Sequence, residues 1–483
     1  MDRISDLPKD ISQRILYFLS QEDAVRTSVL SKSWRDIWCT RPNLDFIEDS
    51  FHRNKQQFLS AVDTTLQRYC DQRLSLEKFH LSISVGRYLE RESVSLLEKW
   101  IPLTATGVKE LRLSIRSEYA PGFIELPLVV FETESLQHLR VEKFRMNRDA
   151  IPTIVLSKHL KKLHLQDVYI EDNVFQKITS SCPLIEAMVV DSCRRLKNIR
   201  SDNLRRLKNF FFKGSKYDDE SCSIEIYPPS LETIEIIYGN VSFHKGADFH
   251  NLNYLHLSDV KSSLDHLSSF KFPSLERLNF LECGGLKESD IFIDAPNILY
   301  FKYEGDFIPS ISFATTTTEW KSDIQLKEGS LWFLNLNELL KSLSQSEISL
   351  IIDHADVNQE NIPVQDNGYN NNKPFAVESL GFHCHLSSFP SLLNAAFCIC
   401  RPRIIGYHLY EGVIKFVGFM WKILMERGSG NEDELTQLLF RDLEEASFEV
   451  KERDEEEWRR APLSEFLLNY QTSYKCRFAL KWR

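Results

Sequence analysis

A short apolar pattern, Leu-x-x-Leu-x-Leu or a near variant, recurs through the middle of this chain. It falls at Leu76-Phe79-Leu81, Val108-Leu111-Leu113, Leu136-Leu139-Val141, Leu160-Leu163-Leu165 and Leu184-Ala187-Val189. It continues at Leu207-Phe210-Phe212, Leu231-Ile234-Ile236, Leu252-Leu255-Leu257, Leu275-Leu278-Phe280 and Ile298-Phe301-Tyr303. From Leu136 onward the copies lie about 21 to 24 residues apart. Alternating apolar residues predict a short strand with one face inward. A fixed period predicts that each unit buries this face by stacking on its neighbours. Residues that end helices precede several copies: Ser135, Pro183, Ser230, Pro273-Ser274 and Pro296-Asn297. Residues 172–180 (DNVFQKITS) read as a helical return leg. Cys283 takes the ninth position of its repeat, which turns the chain out of the strand, while Val168 and Val260 take it elsewhere.

The first forty residues have a different period. Pro8 suits the start of a helix, and Asp10 suits the positive end of its dipole. Ile11, Ile15, Phe18 and Leu19 then form one apolar stripe. Ser20 can cap a second helix carrying Ala24, Val25, Val29 and Leu30, and Ser31 a third that presents Trp34, Ile37 and Trp38. Below about 40 residues a single core seldom suffices. Part of this apolar surface is therefore expected to be covered by the rest of the chain or by a partner.

The ordered pattern LPKDISQRILYFLSQEDAVRTSVLSKSWRDIW resembles the F-box, in the form found in plant F-box/leucine-rich-repeat proteins. The repeats resemble those of the same family, most clearly at HLKKLHLQDV, CPLIEAMVVDSC and SLERLNFLECGGL. The resemblance implies an α/β protein with a three-helix F-box at 1–47 and a linker with a capping helix at 48–74. An irregular leucine-rich solenoid at 75–400 and a mixed α/β cap at 401–483 would follow. The capping helix would bury Phe58, Val62, Leu66 and Tyr69. The resemblance also implies docking on a Skp-type adaptor, and through it on cullin and RING subunits. The adaptor-facing positions map onto Leu7, Pro8, Ile11, Ile15, Leu16, Leu19, Val25, Leu30 and Trp34. The repeats would bind an unidentified target protein for ubiquitin transfer. A ligand-gated receptor using the repeat face and a ligase-independent scaffold are the alternatives.

Of 483 residues 42% are hydrophobic and 27% charged, the balance of a globular protein. The most apolar segment, 413–425, is interrupted by Lys415 and Lys422, and the first residues lack the apolar run of a signal peptide. Cytoplasm or nucleus is the expected location, with no membrane partner. The ten cysteines lack zinc or redox spacing and are expected to be free thiols. A net charge of −10 argues against a general nucleic-acid binder. His383-Cys384-His385 alternate across a strand, which suits no three-way metal site. Gly284-Gly285 lacks a phosphate-binding continuation, and neither a nucleophile elbow nor a kinase or metalloprotease motif is present. No catalytic residue, metal or cofactor is expected.

After Tyr303 the repeat spacing decays. Residues 346–352 and 377–382 still read as strands, a helix is expected at 416–427, and 443–450 should pair with 477–482. The stretches 315–318, 366–373 and 428–430 read as loops, an acidic helix should follow the last of them, and 454–457 read as a solvated acidic turn. The short FBD-type pattern common in the resembled family is not assigned.

Overall fold

Each apolar triplet supplies the buried side of a short strand. The computed structural model describes residues 7–19, 21–27, 29, 31–51, 54–85, 91–105, 107–116, 124–127, 129–146, 158–215, 221–317, 319–327, 332–354, 374–385, 388–407, 413–425, 440–452, 457–469 and 474–483. The chain separates into two units, 1–248 and 249–483.

In the first unit eight strands pair in parallel, each with the next: Asn43–Ile47, Lys78–Ser84, Glu110–Arg116, His138–Glu142, Lys162–Gln166, Ala187–Asp191, Asn209–Lys213 and Thr233–Ile237. Register is constant, so Phe79, Leu111, Leu139, Leu163, Met188, Phe210 and Ile234 form one buried file. Leu81, Leu113, Val141, Leu165, Val190, Phe212 and Ile236 form a second. One triplet expected from the sequence is corrected here. Ile185, Met188 and Val190 are buried, not Leu184, Ala187 and Val189. The run Leu-Ile-Glu-Ala-Met-Val-Val offers apolar residues in both frames, and the frame that fills the core with the bulkier Met and Ile wins.

A second regularity is in the main chain. Lys143, Asp167 and Ser192, each the residue after its strand, have positive φ of 62°, 50° and 53°. Their N–H groups donate to Gln166, Asp191 and Lys213 carbonyls at 2.7–2.9 Å. Each strand thus ends on a left-handed residue bonded to the following repeat, which satisfies a donor that the turn would otherwise orphan. The residue after Ser192, Cys193, is buried, its Sγ 3.6 Å from the Leu165 carbonyl.

The return legs change along the unit. Helices serve first, at Lys55–Asp71, Arg91–Ala105 and Asp172–Ser181. The first buries Phe58, Val62, Leu66 and Tyr69, as expected, and the last covers the helix read at 172–180. Three later legs, Asn198–Arg200, Cys222–Ile226 and Gly239–Phe243, are parallel strands in which Ile199, Ile224 and Val241 align. These β-branched side chains favour the extended leg. Gly239 leaves room there, since a Cβ would sit 2.9 Å from the terminal methyl of Ile224, which would have to shift.

The second unit repeats the device. Tyr254–Ser258, Arg277–Leu281, Tyr300–Gly305, Trp320–Leu326, Ser346–His354, Phe375–Cys384 and Cys400–Tyr407 pair in parallel. Asp259 and Glu282 follow their strands with φ of 54° and 52°. Cys283 is buried, its Sγ 3.2 Å from the Leu257 carbonyl, in the turning position expected for it. Gly285 lies against the neighbouring turn, where a Cβ would meet the Ser262 carbonyl oxygen at 1.9 Å. Helix Val413–Met425 and helix Phe389–Ile399 meet through Phe389, whose ring packs edge-on against Phe416 at 4.8 Å. Tyr474–Trp482 runs antiparallel to Leu443–Glu452 with Phe448 facing Phe478, the pairing expected for 443–450 and 477–482.

Loop 366–373, loop 428–430, the acidic helix after it and most of the acidic turn 454–457 lie outside the described residues. Among the described residues no helix is long and apolar enough to cross a membrane. All ten cysteines are free.

A candidate docking face on the first three helices

Three helices, α1 (Lys9–Phe18), α2 (Gln21–Thr27) and α3 (Lys32–Cys39), precede the first strand. Pro8 stands just before α1, and its carbonyl accepts from Ile11 and Ser12. The Ser31 hydroxyl caps α3 by accepting from the Trp34 N–H at 3.2 Å. Ser20, the expected cap of α2, lies outside the described residues. That helix ends at Thr27, whose Oγ1 donates to the Ala24 carbonyl, so Val29 lies beyond it rather than on it.

The apolar residues of these helices divide into two sets. Leu16, Ala24, Trp34 and Ile37 form a small core, with Leu19 and Trp38 packed against it. Leu7, Ile11, Ile15 and Val25 are exposed by 36%, 47%, 38% and 42%. Phe18 at 74% and Val29 at 83% join them, although the motif had not marked either as a docking position. Six of the twelve exposed large apolar side chains among the described residues thus fall between Leu7 and Val29. Such concentration within one short stretch makes these helices the candidate docking region. Pro8 is exposed beside Leu7, while Leu30 lies outside the described residues. Leu16 and Trp34, at 0% and 3% exposure, act within the module by holding the helices that display the rest.

The module is fastened to the sheet behind it. The Asn43 amide donates to the Tyr17 carbonyl at 3.2 Å, and the Tyr69 hydroxyl donates to the Arg41 carbonyl at 2.6 Å. Arg41 is 2% exposed, and burial pulls its pKa below the usual guanidinium range. Burial pushes the Tyr69 phenol up to about 12. Lys78 reaches over the Tyr17 ring at 5.0 Å. Gln13, Arg14, Tyr17 and Phe18 line a cleft closed on its other side by Thr40, Pro42, Leu74 and Ser75. These contacts join the helices to the strands Asn43–Ile47 and Lys78–Ser84 and to the helix Lys55–Asp71.

Elsewhere His383 and Cys384 have structural surroundings. His383 Nδ1 lies 3.5 Å from Asp353, and Cys384 is buried on the opposite side of its strand. Among the described residues no group of three or more metal-ligating side chains converges.

Comparison with known proteins fits this division. Residues 4–46 match the family described as F-box domain. Residues 97–242 match the family described as "FBD-associated F-box protein At5g56370, LRR repeats". Among curated relatives, the putative FBD-associated F-box protein At5g22720 of Arabidopsis thaliana is 32% identical over 38% of this chain and 38% of its own length, and the two that follow are from the same plant. The putative F-box/LRR-repeat protein At5g41840 is 28% identical over 58% of this chain and 53% of its own. The FBD-associated F-box protein At3g52670 is 26% identical over 75% and 76%. The alignments with the first two thus span well under two thirds of those relatives. None of these names is an enzyme's. The chain is thus similar first to an F-box and then to leucine-rich repeats, in the order that the names of these F-box/LRR-repeat proteins carry.

Proposed function

We propose that this chain is a substrate-recognition subunit of a Skp–cullin–F-box ubiquitin ligase, working in the cytoplasm or nucleus. Its first three helices dock on a Skp-type adaptor, and the exposed face of its strands holds a target protein for ubiquitin transfer. The observation that carries this reading is the set Leu7, Ile11, Ile15, Phe18, Val25 and Val29, exposed within the F-box match. An apolar face of this kind costs free energy in water and regains it when a partner covers it. The chain needs no catalytic group of its own, because the target is presented to an active site on another subunit.

Co-expression of the full chain with a Skp-type adaptor tests the reading. The two should co-purify through size exclusion, and deletion of residues 1–45 should abolish this. Failure of the intact, folded chain to retain any Skp-type adaptor would overturn it.

A further inference from the structure

The exposed face of the first unit's sheet has a charge pattern opposed to that of the whole chain. Strand register sets His80, Arg112, Arg140 and His164 side by side in one row. Lys78, Glu110, His138 and Lys162 form the adjacent row on the same four strands. Asp45 begins the His80 row on the preceding strand, 2.7 Å from His80 Nδ1, and in these two rows the four strands themselves carry four permanent cations, three histidines and one carboxylate, on a chain of net charge −10. That carboxylate is engaged already: Glu110 lies 3.2 Å from Lys78 Nζ and 2.5 Å from Arg112 Nη2, with its side chain only 13% exposed. Arg140 donates to the Gln166 amide oxygen at 3.2 Å, and among the described residues neither Arg140 nor Lys162 has a carboxylate partner. The positive field is also felt by its own members. Burial, then Lys162, holds His138 below its ordinary pKa, and burial, then Arg140, does the same to His164. The buried Nε2 of His164 has no hydrogen-bond partner.

The same row continues into Val189 and Phe211, both half-buried, and then reaches Glu235 on the next strand. The row beyond it carries carboxylates at Glu142 and Asp191, which accept from Ser114 and Ser192 hydroxyls. A cationic stripe bordered by carboxylates and ending on apolar side chains suits a protein segment better than a polyanion. A nucleic acid would meet the bordering carboxylates and the overall negative charge.

The geometry points to Lys78, Arg112, Arg140, Lys162 and His164 as a docking stripe for an acidic segment of the target protein, rich in Asp and Glu, with an apolar residue following it toward Val189 and Phe211. This rests on the reading of the strand face as the target-binding surface and adds the chemical class of the segment it takes. Neighbouring strands are about 4.8 Å apart, so the stripe spans roughly 15 Å, the reach of four or five extended residues.

The test uses the full chain with its co-expressed adaptor and three labelled probes: a Glu-rich peptide ending in Phe, its Lys-for-Glu counterpart, and a single-stranded RNA of similar length. Fluorescence anisotropy should show saturable binding of the acidic peptide alone, weakening as salt rises. Replacing Arg112 and Arg140 together with Gln should weaken it about tenfold, since exposed charge contacts are modest individually. The Arg112→Lys/Arg140→Lys pair should restore most of the affinity. Lys208→Gln, on the ion pair with Glu232 at another strand's edge, should change nothing. Absence of acidic-peptide binding, equal loss in Lys208→Gln, or tighter RNA binding would overturn the proposal. Adaptor co-purification should survive the Arg112/Arg140 changes. Loss of peptide binding with the adaptor retained is therefore separable from failure of the docking reading.

Discussion

The hydroxyl of Tyr69 donates to the main-chain carbonyl of Arg41 across a buried junction, at 2.6 Å. One partner belongs to the long helix Lys55–Asp71, and the other lies between α3 and the first strand. The bond ties the docking helices to the sheet, so it bears on both stability and presentation. Tyr69→Phe keeps the ring but leaves the carbonyl of Arg41 buried and unsatisfied. A loss of about 1–3 kcal/mol is expected, read as a lower midpoint in urea denaturation with an unchanged slope.

The two apolar sets on the first helices should respond oppositely to substitution. Ile15→Asp and Val25→Asp alter exposed positions, so stability should stay within about 0.5 kcal/mol of the parent while adaptor capture falls sharply. Leu16→Ala empties a core position and should cost about 2–5 kcal/mol, melting the helices themselves. Thermal scans paired with adaptor pull-downs separate the two. Intact capture by Ile15→Asp/Val25→Asp would show that the face lies elsewhere.

Gly285 is required by space rather than by its dihedral angle. A Cβ would overlap the Ser262 carbonyl oxygen, a main-chain atom that cannot swing aside. Gly285→Ala should therefore destabilise the second unit by about 2–3 kcal/mol, whereas Gly284→Ala, with nothing within 4 Å of its Cβ, should be mild. Chemical denaturation of the two variants provides the comparison.

Cysteine chemistry supplies a pH prediction. Burial holds the thiols of Cys193, Cys283 and Cys400 up to about 12, against an ordinary value of 9.0. The folded state keeps these protons where the unfolded chain releases them. Their contribution to stability is thus complete below about pH 9 and is lost as pH rises toward 12. At pH 8 a thiol reagent should label Cys70 and Cys398, the two exposed thiols, well before the six buried ones. Labelling of Cys193 or Cys283 at the exposed rate, without denaturant, would contradict this burial.

The legible part of the fold was the part governed by period. Leu111 and Leu113 or Leu278 and Phe280 could be placed because a strand alternates and the next copy repeats the alternation. Where both frames were apolar, as around Ile185 and Met188, the period no longer chose and packing did. The strand Asn43–Ile47 is not legible in the sequence because its Asn-Leu-Asp-Phe-Ile run is short and follows directly on a helical motif. Strand Trp320–Leu326 is hidden for another reason: the step from Tyr300 to Lys321 keeps the period, but Ser322 takes the buried position opposite Phe301 and breaks the apolar triplet. The site was half legible. The motif named Ile11, Ile15 and Val25, but it could not tell these exposed residues from buried Leu16 and Trp34. Phe18, on the α1 stripe, and Val29, just past α2, were named as helix residues and not as parts of the face. Only burial separates the two sets.

The left-handed residues after the strands have a consequence for measurement. Because the N–H of Lys143, Asp167 or Ser192 bonds the following repeat, neighbouring strands are clamped at one separation whatever the length of the leg between them. Return legs can lengthen, shorten, or change from helix to strand, and the graduations on the exposed face stay where they are. The sheet is a ruler: a partner is gauged in units of one strand, and the lettering between the marks can be rewritten without moving them.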